Sequence, residues 1–361
     1  MPVSRPQSGP RARVTINDLA QELGLAKGTI SRALNGYPDI AETTRTRVTR
    51  TADRMGYRPM AQAQAIRTGM ARALGLVLNA GPGNAHKPFL TDFLDGISRA
   101  ASEESWSLSV ATAFDEADEV ATMARLVEEH KVDGFILPRT KIHDARIDLL
   151  RELDVPFVLY GRTGDPQGCA WFDISGEDAM RDAVLRLSGL GHRRIGFING
   201  EAVYNYARLR RAGYAEGLAA AGLAFDGDLV RGGAATATEG AVQGAALLDL
   251  ALPPTAIVCA LDVAALGVYR AAEARGLRIG RDLSVVSYDG IPEAATASPP
   301  LTTYAVDTRA AGSRLARLLF HRIRGTDPVH LRETAPAHLV ARGSDGPVPR
   351  DPDKPARENP A

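Results

Sequence analysis

The sequence has few cysteines and no long apolar run, and each absence excludes a class of protein. Its two cysteines, Cys169 and Cys259, are far apart among 361 residues, so they form no CxxC metal or redox motif. We expect both to be free thiols, as is usual in a reducing compartment. No stretch of about 18 apolar residues offers a transmembrane helix. Residues 1–14 hold proline, glycine and arginine where a signal peptide has an apolar segment, so we expect a cytoplasmic protein without a membrane partner.

Motifs of common catalytic sites are also absent. The sequence contains no GxSxG, no HExxH and no Walker phosphate loop, and no GxGxxG follows its first apolar run. Its aspartates and glutamates show no paired spacing that indicates acid–base catalysis. We therefore expect no enzymatic activity, no cofactor and no metal ion.

Charge is unevenly distributed along the chain, although its formal net value is zero at pH 7. Residues 1–69 carry 11 Lys and Arg against 5 Asp and Glu, a net charge of +6, and the remaining 292 residues carry −6. A basic segment joined to an acidic one suggests that only the first faces a polyanion. A solvated basic arm has the same composition, so charge alone leaves both interpretations open.

Short apolar runs alternate with amphipathic helical patterns between residues 72 and 343. The runs are rich in Val, Ile, Leu or Phe and cover Leu74–Asn79, Leu108–Ala111, Gly134–Pro138, Phe157–Tyr160, Ile195–Asn199, Ala256–Ala260 and Leu283–Tyr288. The helical patterns include Phe89–Ser105, Asp118–His130, Glu177–Leu190, Arg208–Ala221 and Ala264–Arg275. This alternation predicts an α/β fold of parallel, doubly wound sheets. About 270 residues is long for one such sheet, so we expect two α/β lobes with a ligand cleft between them.

Residues 14–57 predict three short helices, and their first part reads VTINDLAQELGLAKGTISRALN. Thr15 and Asp18 form a capping-box-like start, and Gly24 is placed to end the first helix in a left-handed turn. The second helix, Lys27–Leu34, presents short polar and cationic side chains on its outer face: Lys27, Thr29, Ser31 and Arg32. Such side chains suit phosphates and base edges in a DNA major groove, but a helical hairpin with a solvated polar face fits the spacing equally well.

This segment resembles the DNA-binding headpiece of the lactose/galactose repressor family of bacterial transcription regulators. The resemblance covers about residues 14–343, and its motifs occur in the order of the family. They are Asn35-Gly36, Thr44-Arg45-Arg47-Val48, Gly56-Tyr57-Arg58-Pro59, Gly191-His192-Arg193-Arg194-Ile195, Arg210 with Gly213-Tyr214, Ala256–Asp262, Asp282–Asp289 and Pro299-Pro300-Leu301-Thr302-Thr303. The resemblance implies a helix-turn-helix headpiece, a hinge helix and a two-lobed core like that of periplasmic sugar-binding proteins. It also implies a homodimer that binds a near-palindromic double-stranded DNA operator and a small effector.

The sequence and the resemblance together divide the chain into five segments. We expect a flexible tail at 1–13, a headpiece at 14–59, a hinge helix and linker at 60–71, an effector-binding and dimerisation core at 72–343, and a disordered tail at 344–361. The last segment is rich in proline and charge, so it is not expected to bury a core.

The family's DNA contacts transfer to single positions of this chain. Lys27, Gly28 and Arg32 fall at base-reading positions, although Gly28 has no side chain to read with. Positions that face phosphates or the DNA backbone are Thr15, Thr29, Ser31, Asn35, Thr44 and Tyr57. In the hinge segment MAQAQAIR, Ala63 and Ile66 match the family's alanine and its leucine wedge in the minor groove. Without the resemblance, so short a segment is best interpreted as a flexible linker.

Effector contacts transfer to the core in the same way. The ligand-facing positions are Phe89, Asp92, Arg162, Arg210, Asp262 and Asp289. For Asp262, the N-cap of the helix that follows is an equally good interpretation. His192 is interpreted as a structural turn residue. Guanidinium and carboxylate groups in one cleft suit vicinal hydroxyls, so we expect a sugar or sugar derivative. We expect few stacking aromatics in the cleft apart from Phe89, Tyr204 and Tyr206.

Two local features bear on the effector class. Ser175-Gly176 replace the Asp-Asn that is common in the family at the crossover between lobes, and residues 80–98 resemble regulators of α-glucoside use. We expect a repressor of carbohydrate catabolism genes. The alternative is a solute-binding protein of the same core fold, which would leave residues 14–67 unexplained.

Overall fold

The structure is a computed structural model, and the residues it describes are 14–58, 69–80 and 88–348, with the backbone alone described at 88 and 89. The chain divides into two compact units, Met1–Ala71 and Arg72–Ala361. None of the described helices is long and apolar enough to cross a membrane.

Three helices form the first unit: α1 (Ile16–Leu23), α2 (Lys27–Leu34) and α3 (Glu42–Met55). The capping box predicted at Thr15 is present, because the Asp18 carboxylate accepts from the Thr15 N–H at 2.7 Å and the Thr15 hydroxyl accepts from the Asp18 N–H. Gly24 ends α1 with a φ of 63°, a conformation that favours glycine. A small apolar core joins the three helices through Leu19, Ile30, Ala33, Val48 and Ala52. The predicted helix-turn-helix is therefore confirmed.

The N-terminal lobe of the second unit is built on a parallel sheet of six strands. They are β1 (Ala73–Asn79), β2 (Ser107–Ala113), β3 (Gly134–Pro138), β4 (Phe157–Tyr160), β5 (Ala170–Ile174) and β11 (Arg332–Ala335), in the order β11-β5-β4-β3-β1-β2. The helices of this lobe are α4 (Pro88–Glu103), α5 (Glu116–Glu128), α6 (Ala145–Glu152) and α12 (Thr308–Ile323). The apolar pattern predicts neither β5 nor β11, because polar residues such as Asp173 and Glu333 interrupt it.

The C-terminal lobe repeats this plan. Its strands are β6 (Ile195–Ile198), β7 (Val230–Arg231), β8 (Ala256–Cys259), β9 (Ser284–Asp289), β10 (Thr302–Ala305) and β12 (His338–Val340), in the order β12-β10-β9-β8-β6-β7. All neighbours are parallel except β10 and β12. Its helices are α7 (Gly176–Gly189), α8 (Asn205–Ala220), α9 (Ala237–Leu248), α10 (Asp262–Glu273) and α11 (Pro292–Thr296). Two lobes with mostly parallel sheets confirm the predicted α/β class.

The lobes are joined in two ways. The chain crosses between them from β5 to α7, from β10 to α12 and from β11 to β12. In addition, residues 139–142 of the N-terminal lobe meet residues 203–205 of the C-terminal lobe, and we call this the interlobe contact. Its backbone hydrogen bonds run from Ile142 N to Val203 O (3.0 Å) and from Asn205 N to Thr140 O (3.1 Å). The Arg139 guanidinium lies 4.4 Å from the centre of the Tyr204 ring across the same contact.

The C-terminal end of the core extends further than the sequence predicts. Residues 344–348, assigned above to a disordered tail, pack on the C-terminal lobe. Ser344 is fully buried, and its hydroxyl donates to the Val285 carbonyl at 2.6 Å and accepts from the Thr302 N–H at 2.8 Å. Asp345 accepts from the Arg186 guanidinium at 2.6 Å. The composition of this segment, rich in proline and charge, predicted disorder because it does not show that these short side chains pair with specific polar groups. Residues 349–361 lie outside the described residues.

His192 has a structural role, as predicted. Its ring is fully buried and lies 2.9 Å from the Thr255 hydroxyl, 3.1 Å from the Ser284 hydroxyl and 3.0 Å from the Gly346 carbonyl. Burial lowers the pKa of His192, so the neutral ring is favoured. The histidine thus connects the residues before β6 to β9 and to the segment 344–348.

Candidate functional sites

The predicted DNA-contacting residues are placed mainly on α2. Lys27, Gly28 and Arg32 are exposed on this helix, whereas Thr29 and Ser31 are half-buried. A methyl group added at Gly28 would meet no atom within 4 Å, so packing in the described structure does not require glycine there. The glycine leaves open surface beside Lys27, which is room for another molecule to approach.

Arg32 is paired within the headpiece. Its guanidinium forms an ion pair with Asp39 and lies 5.8 Å from the centre of the Tyr37 ring. Arg32 and Asp39 are both about half exposed, and such surface pairs contribute about 1 kcal/mol or less. A phosphate can therefore replace Asp39 at small cost. Asn35 is held more firmly, since its side-chain amide donates to the Ser31 carbonyl at 2.6 Å.

The other predicted DNA contacts are spread over the first unit. The Thr15 hydroxyl donates to the Asp18 carboxylate at 2.9 Å, so it is engaged in the cap of α1. Thr44 lies half-buried in α3, and Tyr57 lies half-buried just after that helix. Ala63 and Ile66 lie outside the described residues.

A cavity of about 300 Å³ lies between the two lobes of the second unit. The carboxyl ends of β3, β4, β5 and β9 and the first turns of α7 and α8 surround it, which is where α/β sheets bind ligands. Its charged lining residues are Asp92, Arg139, Arg162, Asp173, Glu177, Arg210 and Asp289. The cavity therefore brings together Asp92, Arg162, Arg210 and Asp289 among the predicted effector contacts.

Arg210 is the buried cation of this cavity. Its guanidinium lies 3.9 Å from the ring centre of Tyr288 and 4.7 Å from that of Tyr206, and its Nη1 donates to the Ala260 carbonyl at 2.5 Å. Its Nε is buried without a hydrogen-bond partner. Among the described residues, no carboxylate forms an ion pair with it. A buried, unpaired donor is unfavourable, so a ligand that accepts a hydrogen bond here gains free energy.

Asp289 ends β9 in a strained backbone conformation. Its φ of 127° lies in a region that side-chain-bearing residues rarely adopt. Burial raises the pKa of Asp289 to about 7; the Arg210 cation lowers it, and nearby Asp262 raises it further. Its carboxyl group therefore changes between acid and carboxylate near neutral pH.

Asp262 does not line the cavity. It is fully buried, and one carboxylate oxygen accepts from the backbone N–H groups of residues 290 and 291 at 2.8 and 3.0 Å. The other oxygen accepts from the Thr303 hydroxyl at 2.7 Å. Leu261, not Asp262, is the N-cap residue of α10. The structure thus places Asp262 neither at the cavity wall nor at the helix cap; it fixes the loop that follows Asp289.

Arg162 follows β4 and is held by two carboxylates. Its Nε donates to Asp173 at 2.6 Å and its Nη2 donates to Glu177 at 2.6 Å. Asp173 belongs to β5 and Glu177 to the first turn of α7, so this cluster spans a crossover between the lobes. Both carboxylates raise the pKa of Arg162 against the opposing effect of its burial. Sequence reasoning missed Asp173 and Glu177; the one signal for them is the unusual Ser175-Gly176 pair that they flank.

The remaining predicted contacts are less enclosed. Asp92 lines the cavity from α4, but it is more than half exposed and pairs with Arg309 at 2.5 Å. The side chain of Phe89 lies outside the described part of the structure.

Aromatic side chains are more numerous in the cavity than the sequence predicts. Tyr160, Tyr206 and Tyr288 all line it. Tyr206 was expected in the cavity, but Tyr160 and Tyr288 were not. Both end apolar runs, a pattern that indicates burial in a core and does not reveal their place at the ligand-facing end of a strand. Tyr204, which was also expected, is not among the described lining residues.

Family models match each of the two units, and known relatives match the chain across both. Residues 15–60 match the family model described as bacterial regulatory proteins, lacI family, and residues 184–344 match a periplasmic binding protein-like domain. The HTH-type transcriptional regulator AglR of Rhizobium meliloti (strain 1021) is 37% identical over 342 residues, which cover 93% of this chain and 95% of the relative. The chain belongs to the lacI family of bacterial regulatory proteins. It is accordingly a DNA-binding transcription regulator and not an enzyme.

Further relatives of this lacI-family chain agree along nearly its whole length. The HTH-type transcriptional regulator CelR of Thermobifida fusca is 33% identical over 341 residues, covering 92% of this chain and 99% of the relative. A solved CelR–cellobiose complex has a TM-score of 0.71 and 31% identity, with 92% and 100% coverage. The Lac repressor dimer bound to operator and the anti-inducer ONPF has a TM-score of 0.78 and 26% identity, with 93% and 100% coverage.

Proposed function

We propose that this lacI-family regulator represses carbohydrate catabolism genes and that a neutral sugar in the interlobe cavity controls its affinity for the operator. The observation that carries the proposal is Arg210, buried with an unpaired donor beside the Asp289 carboxyl group and two tyrosine rings. Vicinal hydroxyls accept from a guanidinium and donate to a carboxylate, and the C–H face of a sugar ring packs on aromatic rings. The likeness to a regulator solved with cellobiose supports a disaccharide of glucose.

On the DNA side, the proposal assigns the predicted contacts to two headpieces of a homodimer. The likeness to a repressor dimer on its operator supports this assembly. Two headpieces related by a twofold axis need a near-palindromic operator. The assigned residues are Thr15, Lys27, Gly28, Thr29, Ser31, Arg32, Asn35, Thr44 and Tyr57, with Ala63 and Ile66 at the central minor groove. A regulator of chromosomal genes acts in the cytoplasm, and we place this chain there.

Calorimetric titration of the full chain tests the effector. The probes are cellobiose, maltose and trehalose, three neutral disaccharides of glucose. We expect at least one to bind with a Kd below about 1 mM, as ligands of small enclosed sites do. The same sugar should change the affinity for an operator duplex in a fluorescence anisotropy titration. If none of the three binds, a disaccharide of glucose is refuted as the effector.

Selection from a randomised duplex library tests the regulator. We expect the full chain to enrich near-palindromes with a central pyrimidine–purine step, because such steps unstack cheaply. A solute-binding protein of the same core, the alternative function, would bind the sugar but enrich no sequence. The three-helix unit has its own apolar core, and this argues against that alternative because solute binding does not require such a unit.

A further inference from the structure

We propose that Glu177 is a specificity-determining residue of the effector cavity: its free carboxylate oxygen accepts a hydrogen bond from a sugar hydroxyl and makes the cavity reject phosphorylated sugars. The inference rests on the proposed sugar effector and names the chemical class that the cavity admits. Nothing in the family resemblance assigns a role to this position.

The first support is the state of the Glu177 carboxylate. One oxygen, Oε1, accepts from the Arg162 Nη2 at 2.6 Å. The other, Oε2, is buried without a partner, although the side chain as a whole keeps 23% of its surface exposed. A buried acceptor without a donor is unfavourable. Rotation of the carboxylate about its terminal bond, a soft torsion, brings Oε2 to the cavity that Glu177 lines, where a ligand hydroxyl that donates to it removes this cost.

The second support is Arg210, whose unpaired Nε lies beside Gly176, the residue before Glu177. A Cβ built on Gly176 would lie only 2.8 Å from that Nε, so the guanidinium occupies the space that any side chain at 176 would need. Gly176 directly precedes Glu177 in the first turn of α7. The cavity wall beside Gly176 therefore presents one unpaired donor and one unpaired acceptor. A hydroxyl group both accepts and donates, whereas the oxygens of a phosphate dianion only accept.

The third support is the charge around Arg162. Two carboxylates, Asp173 and Glu177, already occupy its Nε and Nη2, so the three groups carry a net charge of −1. Arg139 and Arg210 also line the cavity, but its described lining holds three arginines against four carboxylates, a net charge of −1 when all are ionised. With both carboxylates in place, an anionic ligand meets repulsion, while a neutral sugar meets a hydrogen-bond acceptor.

A calorimetric comparison of trehalose with trehalose 6-phosphate tests the inference, together with maltose and cellobiose as further neutral probes. Wild-type protein should bind its preferred neutral disaccharide, and the phosphorylated sugar at least about tenfold more weakly than trehalose. Glu177→Gln keeps the size of the side chain but removes its charge. Its affinity for the preferred neutral disaccharide should fall about ten- to a hundredfold, as expected for a lost bond to a charged group. Its discrimination against trehalose 6-phosphate should shrink, since Arg162 loses one of its two carboxylates.

Two further variants keep the test decisive. Asp178→Asn removes the same charge one residue along α7, where Asp178 pairs with Arg181 and does not line the cavity, so sugar affinity should stay within about threefold of wild type. Glu177→Asp keeps the charge beside Arg162 but withdraws the oxygens by one methylene, so it should fold even where Glu177→Gln does not, and still bind the neutral sugar more weakly.

The outcomes separate this inference from the proposed function. Unchanged neutral-sugar affinity in both Glu177 variants, or a wild-type preference for trehalose 6-phosphate, overturns the role of Glu177 and leaves a sugar effector in place. Absence of binding by wild type to every disaccharide in the panel overturns the proposed glucose disaccharide effector and this inference with it.

Discussion

Replacing Arg210 with alanine should uncouple the regulator from its effector while preserving its DNA binding. The Arg210 guanidinium contacts the rings of Tyr206 and Tyr288 and has a buried, unpaired Nε, and the residue lines the cavity. A hydrogen bond that involves a charged group contributes about 1.5–3 kcal/mol. Its loss alone should weaken sugar binding about ten- to a hundredfold. The two cation–π contacts, worth about 0.5–2 kcal/mol each, position the guanidinium, so the real loss should lie at the upper end.

The effect of Arg210→Ala on stability should be small. The variant loses both ring contacts and the hydrogen bond to Ala260. It also removes a buried cation that lacks an ion pair among the described residues, and desolvation of such a charge opposes folding. These contributions have opposite signs, so the thermal midpoint should shift by only a few degrees, as measured by circular dichroism. A folded variant that cannot bind sugar is therefore the expected outcome.

The assay is calorimetry with the preferred disaccharide, followed by anisotropy titration of an operator duplex with and without sugar. Arg211→Ala is the matched control, because Arg211 is the next residue of α8, is exposed and does not line the cavity. We expect the control to behave as wild type, and Arg210→Ala to bind operator normally but to ignore the sugar. Sugar affinity within threefold of wild type would refute the role given to Arg210.

Three further predictions concern other parts of the chain. Because the pKa of Asp289 is raised to about 7, its carboxylate is lost below that pH, and sugar affinity should fall about tenfold between pH 8 and pH 6 in calorimetry; Asp289→Asn should abolish this dependence. The same variant should raise the thermal midpoint at pH 8, where the buried charge opposes folding, and leave it unchanged below about pH 4, where folded and unfolded states are both protonated. Ile66→Ala should weaken binding to operator but not to scrambled duplex in titrations at two salt concentrations, and equal losses on both would mean that residues 60–67 are only a tether. A chain truncated after Val348 should still sediment as a dimer, and a monomer would contradict this expectation. A chain truncated after Gly343 should have a lower thermal midpoint, because it loses the buried hydrogen bonds of Ser344; an unchanged midpoint would contradict this.

Local sequence patterns predict the helices of the first unit, whereas the family resemblance supplied the helix-turn-helix assignment. The residues of α2 are predicted to the residue, because Gly24 and the apolar spacing of Ile30 and Ala33 act within two helical turns. The apolar strands of both lobes are predicted for the same reason. Strands with polar residues, such as β5 and β11, show no apolar pattern that predicts a strand. They form because they pair with each other, although they are distant in the chain.

The cavity shows more clearly which site residues the sequence alone does not predict. Arg210 and Asp289 were assigned by resemblance, and both line it. Glu177 could not be assigned in this way, because its significance arises only when β4 and the crossover into α7 bring Arg162 against it. Asp262 shows the opposite error: an acidic residue after a strand suggests a ligand contact, but its two oxygens are used by residues 290, 291 and 303 of neighbouring segments.

The interlobe contact affects the differential binding free energy that an effector needs in order to shift the lobes. Its two backbone hydrogen bonds, between residues 139–142 and 203–205, join the lobes directly. At about 0.5–1.5 kcal/mol each, they favour approached lobes over separated ones by about 1–3 kcal/mol, or roughly 5- to 150-fold. A sugar that prefers the approached lobes then adds to an existing bias, so even modest differential affinity drives the population close to completion. A ligand that prefers separated lobes must first overcome that bias, which sets a higher threshold for it. The contact thus contributes a bias toward approached lobes, and whether an effector acts with or against this bias decides how strongly the regulator responds.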